Sequence, residues 1–366
     1  MKKIMIAMGT RPEAIKLCPL VIELRGRKNL ETLVLSTGQH RAMLDQAMEA
    51  FSVRPDFDLD IMRTGQSLSV AAARILARTD EVLAAERPDF VVVQGDTVTA
   101  LMVGLAAFYH RIPVGHVEAG LRTHHMSSPF PEELHRQAIS LFATYHFAPT
   151  VTARNHLIRE GKNEKRVFLT GNTVVDALQY TLTKCSCAEW DLPSDKRLLL
   201  FTAHRREHLG EPMRGMLRAL RRIVESHPDV YAICPLHHNP EIRRAAGEAL
   251  QGCERIRVIE PPEIIGFHRL LSKSYLVLTD SGGIQEETTA LGIPTLVMRY
   301  STERREGIEA GCLKLAGSGE EGIVSAANRL LAPDSEEYRR MRSPSRVFGD
   351  GWASVRIANL LERVLR

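Results

Sequence analysis

Residues 90–97 read FVVVQGDT, and this short stretch decides the fold. Four apolar residues in a row, three of them β-branched, leave no polar face for water, so the strand they form is buried on both sides. Strands of that kind belong to parallel sheets covered by helices. The run ends in Gly95-Asp96-Thr97 and is followed by a segment of helical length. The same unit opens the chain, where residues 3–8 (KIMIAM) run into Gly9-Thr10-Arg11-Pro12-Glu13 and a helix-length stretch at 12–25. Moving outward, candidate strands fall at 32–36, 114–117, 146–148 and 167–170, then at 197–202, 230–235, 256–259, 275–279 and 295–298. Helical segments at 68–86 and 212–227 lie between them. Strand alternating with helix predicts α/β architecture with parallel sheets.

The chain has 366 residues, enough for two domains at about 150 residues each. The expected arrangement is two Rossmann-like halves with a ligand cleft between them, residues 1–171 and 172–350. A final amphipathic helix at 351–366 is expected to pack back on the first half. Residues 181–196 break the alternation and read as an irregular excursion. The composition, 44% hydrophobic and 25% charged, is that of a folded globular chain and excludes disordered and collagen-like classes. A net charge of +4 is too small to predict a nucleic-acid or membrane surface, so a bound anion must meet local cations. Of the six cysteines, only Cys185 and Cys187 are close together, a poor zinc signature. The apolar run at the N-terminus is too short for a secretory segment, and no window reaches the roughly 18 apolar residues of a membrane span. A reduced, cytoplasmic setting is the expectation, with no metal and no cofactor.

In open parallel sheets ligands bind beyond the carboxyl ends of the strands. Five strands here end in charged or anion-compatible turns: at 9–13, at 95–97, at Glu118-Ala119-Gly120, at Ala203-His204-Arg205-Arg206-Glu207, and at Asp280-Ser281-Gly282-Gly283. Gly9-Thr10-Arg11-Pro12 sets a flexible turn and a cation before a helix start, suited to an anion or equally to a plain turn. It is not G-x-G-x-x-G, and no G-x-x-x-x-G-K-[ST] occurs, which disfavours a nicotinamide dehydrogenase and a P-loop nucleotidase. Ser281 and the paired glycines open a helix fit for a diphosphate, with Glu286 and Glu287 in reach of ribose hydroxyls; an ordinary N-cap with dipole-favouring acids is the weaker alternative. Asp96, Glu118, Glu132 and Glu133 are candidates for proton transfer.

Taken together, Gly9-Thr10-Arg11-Pro12-Glu13-Ala14-Ile15-Lys16, Gly38-Gln39-His40-Arg41, Gly95-Asp96-Thr97, residues 115–123 (GHVEAGLRT), Pro131-Glu132-Glu133, Thr170-Gly171-Asn172-Thr173, His204-Arg205-Arg206-Glu207, residues 280–287 (DSGGIQEE), Thr302-Glu303-Arg304 and Gly349-Asp350-Gly351 form a recognisable set. The chain resembles the non-hydrolysing UDP-N-acetylglucosamine 2-epimerases, in the same order from first strand to last helix. The resemblance implies a GT-B-like fold and usually a homodimer. It implies reversible inversion at C2 of UDP-GlcNAc to give UDP-ManNAc, by loss and re-addition of UDP through a 2-acetamidoglucal. It also implies roles: Asp96, Glu118, Glu132 and His204 as catalytic groups; Arg11, Lys16, Ser281, Gly282, Glu287 and Arg304 on phosphates and ribose; Phe267 against uracil. Gln39, Gln66, Arg205 and His237 match positions at which some relatives bind a second, activating UDP-GlcNAc, although Ala42 and Gly65 replace polar residues there. Pro262 and Arg305 also depart from the family pattern. Rival readings are an epimerase of another UDP-acetamido sugar, such as a diacetamido-uronic acid, a GT-B glycosyltransferase, and a silent UDP-sugar sensor.

Overall fold

In the computed structural model, strand and helix alternate through two units, 1–181 with 349–366, and 182–348. The structure describes residues 1–38, 41–61, 63, 65–127, 129–184, 192–203, 205, 208–236 and 239–366, without the side chains of 41 and 42. The first unit runs β1 (Lys2–Met8), α1 (Arg11–Arg25), β2 (Leu30–Ser36), α2 (Arg41–Ala50), β3 (Phe57–Asp58), α3 (Leu68–Glu86), β4 (Phe90–Gln94), α4 (Val98–Tyr109), β5 (Val114–Val117), α5 (Glu132–Phe142), β6 (Tyr145–Ala148), α6 (Val151–Arg159), β7 (Val167–Leu169) and α7 (Thr173–Leu182). The second runs β8 (Arg197–Thr202), α8 (Glu211–Ser226), β9 (Val230–Pro235), α9 (Pro240–Leu250), β10 (Ile256–Ile259), α10 (Ile264–Ser272), β11 (Leu276–Thr279), α11 (Gly282–Leu291), β12 (Thr295–Val297), α12 (Arg305–Glu309), β13 (Leu313–Leu315), α13 (Glu320–Leu331) and α14 (Glu336–Met341); α15 (Ala353–Val364) belongs to the first unit.

Every strand pairing is parallel. The first sheet has the order β3-β2-β1-β4-β5-β6-β7 and the second β10-β9-β8-β11-β12-β13. Both are doubly wound, and each reverses direction at one point, between β1 and β4 and between β8 and β11. That switch point is where such sheets leave a crevice for ligands.

The central strands explain the expected α/β class. Ile4, Ile6 and Met8 are fully buried on one face of β1, and Met5 and Ala7 on the other, in a cluster with Val91, Val93 and Val103. In β8, Leu199 and Phe201 pack on α8, α9 and α13, while Leu198 and Leu200 pack on α10 and β11 residues. Two short edge strands, β3 and β13, escape the sequence reading because two or three residues carry no usable period. Residues 185–191 of the excursion at 181–196, with Cys185 and Cys187, lie outside the described residues.

The division between units falls after Thr181 rather than at 171. The physical reason is α7, whose side chains are committed to the first unit. Tyr180 stacks on Phe51 at 5.0 Å, and buried Asp176 accepts from the N–H groups of Ala353 (3.2 Å) and Ser354 (2.7 Å) at the start of α15. No side chain caps α15 from its own N-cap residue, Trp352, so Asp176 does this from a distant part of the chain. Arg356 pairs with both carboxylate oxygens of Asp350 (2.7 and 2.6 Å) and reaches the Thr170 carbonyl at 3.1 Å, which accounts for the acid within Gly349-Asp350-Gly351.

Replacing Asp176 with Ala therefore removes two cap bonds inside a buried joint. The expected loss is about 1–2 kcal/mol, read as a lower urea midpoint with an unchanged slope. An unchanged midpoint would show that α15 holds itself.

Candidate active site

The two switch points carry different chemistry, and each is built from its own unit. In the first, β1 ends in Gly9. A Cβ there would stand 2.2 Å from the hydroxyls of both Thr37 and Thr99, which are themselves bonded at 2.8 Å. Only glycine allows that approach. Thr10 then caps α1, accepting from the Glu13 N–H at 3.5 Å, and Glu13 returns the contact as in a capping box. Its carboxylate accepts from the Gly9 N–H (3.0 Å), the Thr10 hydroxyl (2.8 Å) and the Thr97 hydroxyl (2.6 Å). Glu13 thus ties the turn after β1 to the turn after β4. Burial pushes its carboxyl up to about 7, against the downward pull of those hydrogen bonds.

Glu118 follows β5 with φ of +64°, a left-handed conformation that a residue with a side chain rarely adopts and that surrounding contacts must enforce. Those contacts are present. The buried carboxylate takes an ion pair from Lys16 of α1 and hydrogen bonds from Gln94 (3.1 Å) and Asn172 (3.1 Å). Asp96 lies in the turn after β4, its carboxylate held by Arg136 of α5 at 2.5 Å. Glu132 begins α5, and its Oε2 is buried without a hydrogen-bond partner. The neighbouring Glu133 has a different fate. Fully buried, it accepts from the N–H groups of Thr123 (3.0 Å) and His124 (3.0 Å) and from Gln137 (2.7 Å). Desolvation works against its charge, yet these donors and Arg136 hold its carboxyl below the ordinary value. Glu133 therefore shapes the 123–124 loop, while Glu132 keeps an uncommitted oxygen.

The second unit arranges cations. Ser281 stands at the N-cap of α11, but its hydroxyl makes no cap bond, and its N–H is donated to Thr279 at 3.0 Å. A Cβ on Gly282 would lie 2.8 Å from the guanidinium carbon of Arg304, so glycine lets that cation lie against the helix start. Arg304 is itself fixed by Glu286 at 2.8 Å and by Glu303. Glu303 also faces Arg299 at 3.1 Å and Arg205 at 3.8 Å. Burial opposes its charge, but three arginines hold its carboxyl well below the usual range. Arg205 donates its N–H to the Asp280 carboxylate (3.1 Å) and its Nε–H to the Asp280 carbonyl (2.8 Å), and His208 sits 2.9 Å from the same carboxylate. Glu287 keeps a buried Oε2 with no hydrogen-bond partner, whereas Glu286 is committed to Arg304. The two acids that sequence treats alike are thus separated by their neighbours. Phe267 lies half-buried on α10.

His204, Gln39 and His237 lie outside the described residues. Gln66 stands in the first unit, just before α3, and Arg205 in the second. Arg11 occupies the first position of α1. Gln94 and Arg136 were not singled out by sequence, and Asp280 and Glu303 stood there only within motifs, without a role. Glu13 was legible through its spacing from Thr10, but Gln94, Arg136 and Asp280 act through partners far away in the chain. Among the described residues no group of three His, Cys, Asp or Glu side chains could hold a metal ion, and no helix is long and apolar enough to cross a membrane.

These two doubly wound units place the chain among GT-B-type α/β proteins. A family model described as UDP-N-acetylglucosamine 2-epimerase matches residues 22–362. The UDP-N-acetylglucosamine 2-epimerase of Bacillus subtilis (strain 168) is 49% identical over 360 residues, covering 98% of this chain and 94% of that protein. The crystal structure of UDP-GlcNAc 2-epimerase from Neisseria meningitidis bound to UDP-GlcNAc is similar with a TM-score of 0.95 at 39% identity, over 99% of this chain and 100% of that one. The enzyme of Methanocaldococcus jannaschii in complex with UDP-GlcNAc and UDP gives 0.85 at 32% identity, over 99% of each chain. The chain belongs to the UDP-N-acetylglucosamine 2-epimerase family.

Glu13 generates a pH test. Its folded value, about 7, lies above the ordinary glutamate value of 4.5, so the stability contributed by the neutral acid is complete below about pH 4.5. It is lost as pH rises through about 7. Glu13→Gln keeps the neutral shape at every pH. Relative to that variant the wild type is expected to lose on the order of 3 kcal/mol between pH 4.5 and 8. Urea titrations across this range check it, and parallel pH profiles would refute the assignment.

Proposed function

We propose that this protein interconverts UDP-GlcNAc and UDP-ManNAc, as a non-hydrolysing 2-epimerase. The observation that carries this reading is the whole-chain likeness to the Neisseria meningitidis enzyme bound to UDP-GlcNAc. The chemistry agrees with the residues present. The hydrogen on C2 is not next to a carbonyl, so direct deprotonation would leave an unsupported carbanion. Removing that proton while the C1–O bond to UDP breaks gives neutral 2-acetamidoglucal and UDP. Re-addition of UDP with protonation at C2 on the other face gives the epimer. Such a step needs carboxylates for the proton and fixed donors for the diphosphate charge that grows in the transition state.

On this reading Asp96, Glu118 and Glu132 serve the C2 proton. Ser281, Gly282 and Arg304, with Arg11, Lys16 and His204, serve the diphosphate. The orphaned Oε2 of Glu287 accepts from ribose, and Phe267 lies against uracil. Lys16 already pairs with Glu118, so one cation serves both the acid and the leaving group. An activating UDP-GlcNAc bound through Gln39, Gln66, Arg205 and His237 is the corresponding regulatory proposal. Exposed Arg305 beside Arg304 favours testing an acidic UDP-acetamido sugar as a second substrate. Among the described residues four cysteines are free thiols, which suits the proposed cytoplasmic setting.

Asp96→Asn, Glu118→Gln and Glu132→Gln are each expected to lower kcat about a hundredfold or more. In deuterated water the wild type should place deuterium at C2 of both sugars. Proton NMR of UDP-GlcNAc incubated with the enzyme alone reads both results. Absence of label at C2, or unchanged configuration there, would sink the mechanism.

We also infer a homodimer. Leu134 and Leu141, seven residues apart on α5, stay exposed, as do Phe108 and Tyr109 at the end of α4; two helix ends joined by the Phe108–Phe142 contact therefore offer apolar surface to a second copy. Leu141→Arg is expected to shift the sedimenting species from dimer to monomer. A wild type that sediments as a monomer at micromolar concentration contradicts the inference.

A further inference from the structure

Asp96 sits in a three-residue turn whose neighbours are gripped from two directions by histidines that neither the sequence motifs nor the reaction assigns. His116 is fully buried on β5, opposite Val93 of β4. Its Nε2 lies 2.7 Å from the carbonyl oxygen of Gly95. His135 is buried on α5, one turn beyond Glu132, and its Nδ1 lies 2.9 Å from the carbonyl oxygen of Asp96. A carbonyl only accepts, so each ring nitrogen donates, which fixes two opposite tautomers: hydrogen on Nε2 in His116 and on Nδ1 in His135. Gly95 has φ of +70° and donates its own N–H to the Val117 carbonyl at 3.0 Å. Consecutive carbonyls are therefore pinned by two rings, one from the sheet and one from the helix.

We propose that His116 and His135 are positioning residues for Asp96, holding the Gly95 and Asp96 carbonyls so that the carboxylate meets the sugar at one fixed place. The inference rests on the functional reading above. The arrangement has a logic beyond local satisfaction. His116 stands on β5 two residues before Glu118, which directly follows the strand, so the ring that orients the Asp96 turn is joined by a short buried backbone to the second acid. His135 stands three residues after Glu132 on α5 and one before Arg136, which holds the Asp96 carboxylate. Each ring couples Asp96 to the element that carries another of the three acids. Desolvation lowers the His116 ring to about 4, which keeps it neutral, and the Gly95 carbonyl places its single N–H on Nε2. The Nδ1 atom of His116 is buried without a hydrogen-bond partner, so the bond to Gly95 is what the ring's polarity serves.

The test uses the different reach of the two amides. Counted from Cβ, the amide nitrogen of Gln stands where histidine Nε2 does, and that of Asn where Nδ1 does. At position 116, His116→Gln should keep kcat within about threefold and His116→Asn should lose about tenfold to a hundredfold, the scale of a misplaced catalytic group. At position 135 the order reverses: His135→Asn keeps activity and His135→Gln loses it. KM for UDP-GlcNAc should stay within about twofold throughout. A purely structural role would follow side-chain size and give no crossed pattern. Equal kcat for the two variants at either position, or losses expressed in KM, would overturn the proposal for that ring. Failure of both His116→Asn and His135→Gln to fold assigns the rings to stability and also overturns it. Nitrogen-15 spectra of the wild type read the two tautomers without turnover, so wrong tautomers refute this inference. A wild type inert toward UDP-GlcNAc refutes the functional reading instead.

Discussion

Four elements of the first unit converge on one carboxylate. Lys16 from α1, Gln94 from the end of β4 and Asn172 from the approach to α7 all reach Glu118 at the end of β5. A buried carboxylate is costly unless its lone pairs are met by donors and its charge by a cation. Here one ammonium and two amides meet it. That enclosure is also what enforces the left-handed backbone at Glu118, since relaxing the backbone would swing the side chain away from all three. Removing any one donor strands the others, so the three partners are best understood as one device. The Asp96 turn is built on the same plan, with Arg136 on the carboxylate and buried donors on the backbone.

The second sheet repeats the order of the first six strands of the first sheet, yet their switch points are built oppositely. The first presents acids held by cations, and the second presents cations held by acids. The difference comes from side chains and not from topology. Where β1 and β4 end, Glu13 joins the two turns through hydroxyls and a backbone N–H. Where β8 and β11 end, Thr202 and Thr279 bond at 2.7 Å and Asp280 collects Arg205 and His208. A shared fold therefore leaves function to a few residues at strand ends.

That division explains what could be read from sequence. FVVVQ and KIMIAM announce buried parallel strands because nothing polar interrupts them, and the acids and glycines that follow announce a ligand edge. The strand-end motifs pointed to Asp96, Glu118, Ser281 and Gly282 because position after a strand is a local property. The partners were hidden because they are non-local: Arg136 is forty residues from Asp96, and Asn172 is fifty-four from Glu118. The same limit applied to the domain division. The sequence period of α7 is equally good in either unit, and its contacts decide which one claims it: Tyr180 on Phe51 and Asp176 on the first N–H groups of α15. Glu286 and Glu287 look interchangeable in sequence, and Arg304 beside the one and His268 beside the other separate them.

The small net charge of the chain raised a question that the second unit answers. An anion site was expected to depend on a local excess of cations, but among the described residues Arg205, Arg299 and Arg304 face Asp280, Glu286 and Glu303 in equal number. The cluster is balanced. On the proposed function its part in binding a diphosphate would come from orientation more than from surplus charge, which salt would screen: each of these guanidiniums is held by an acid, and that of Arg304 lies against the start of α11. Donors already in place stabilise a growing charge without reorganisation. The buried acids are thus part of the cation site, and neutralising Glu303 would loosen Arg304 even though it makes the local charge more positive.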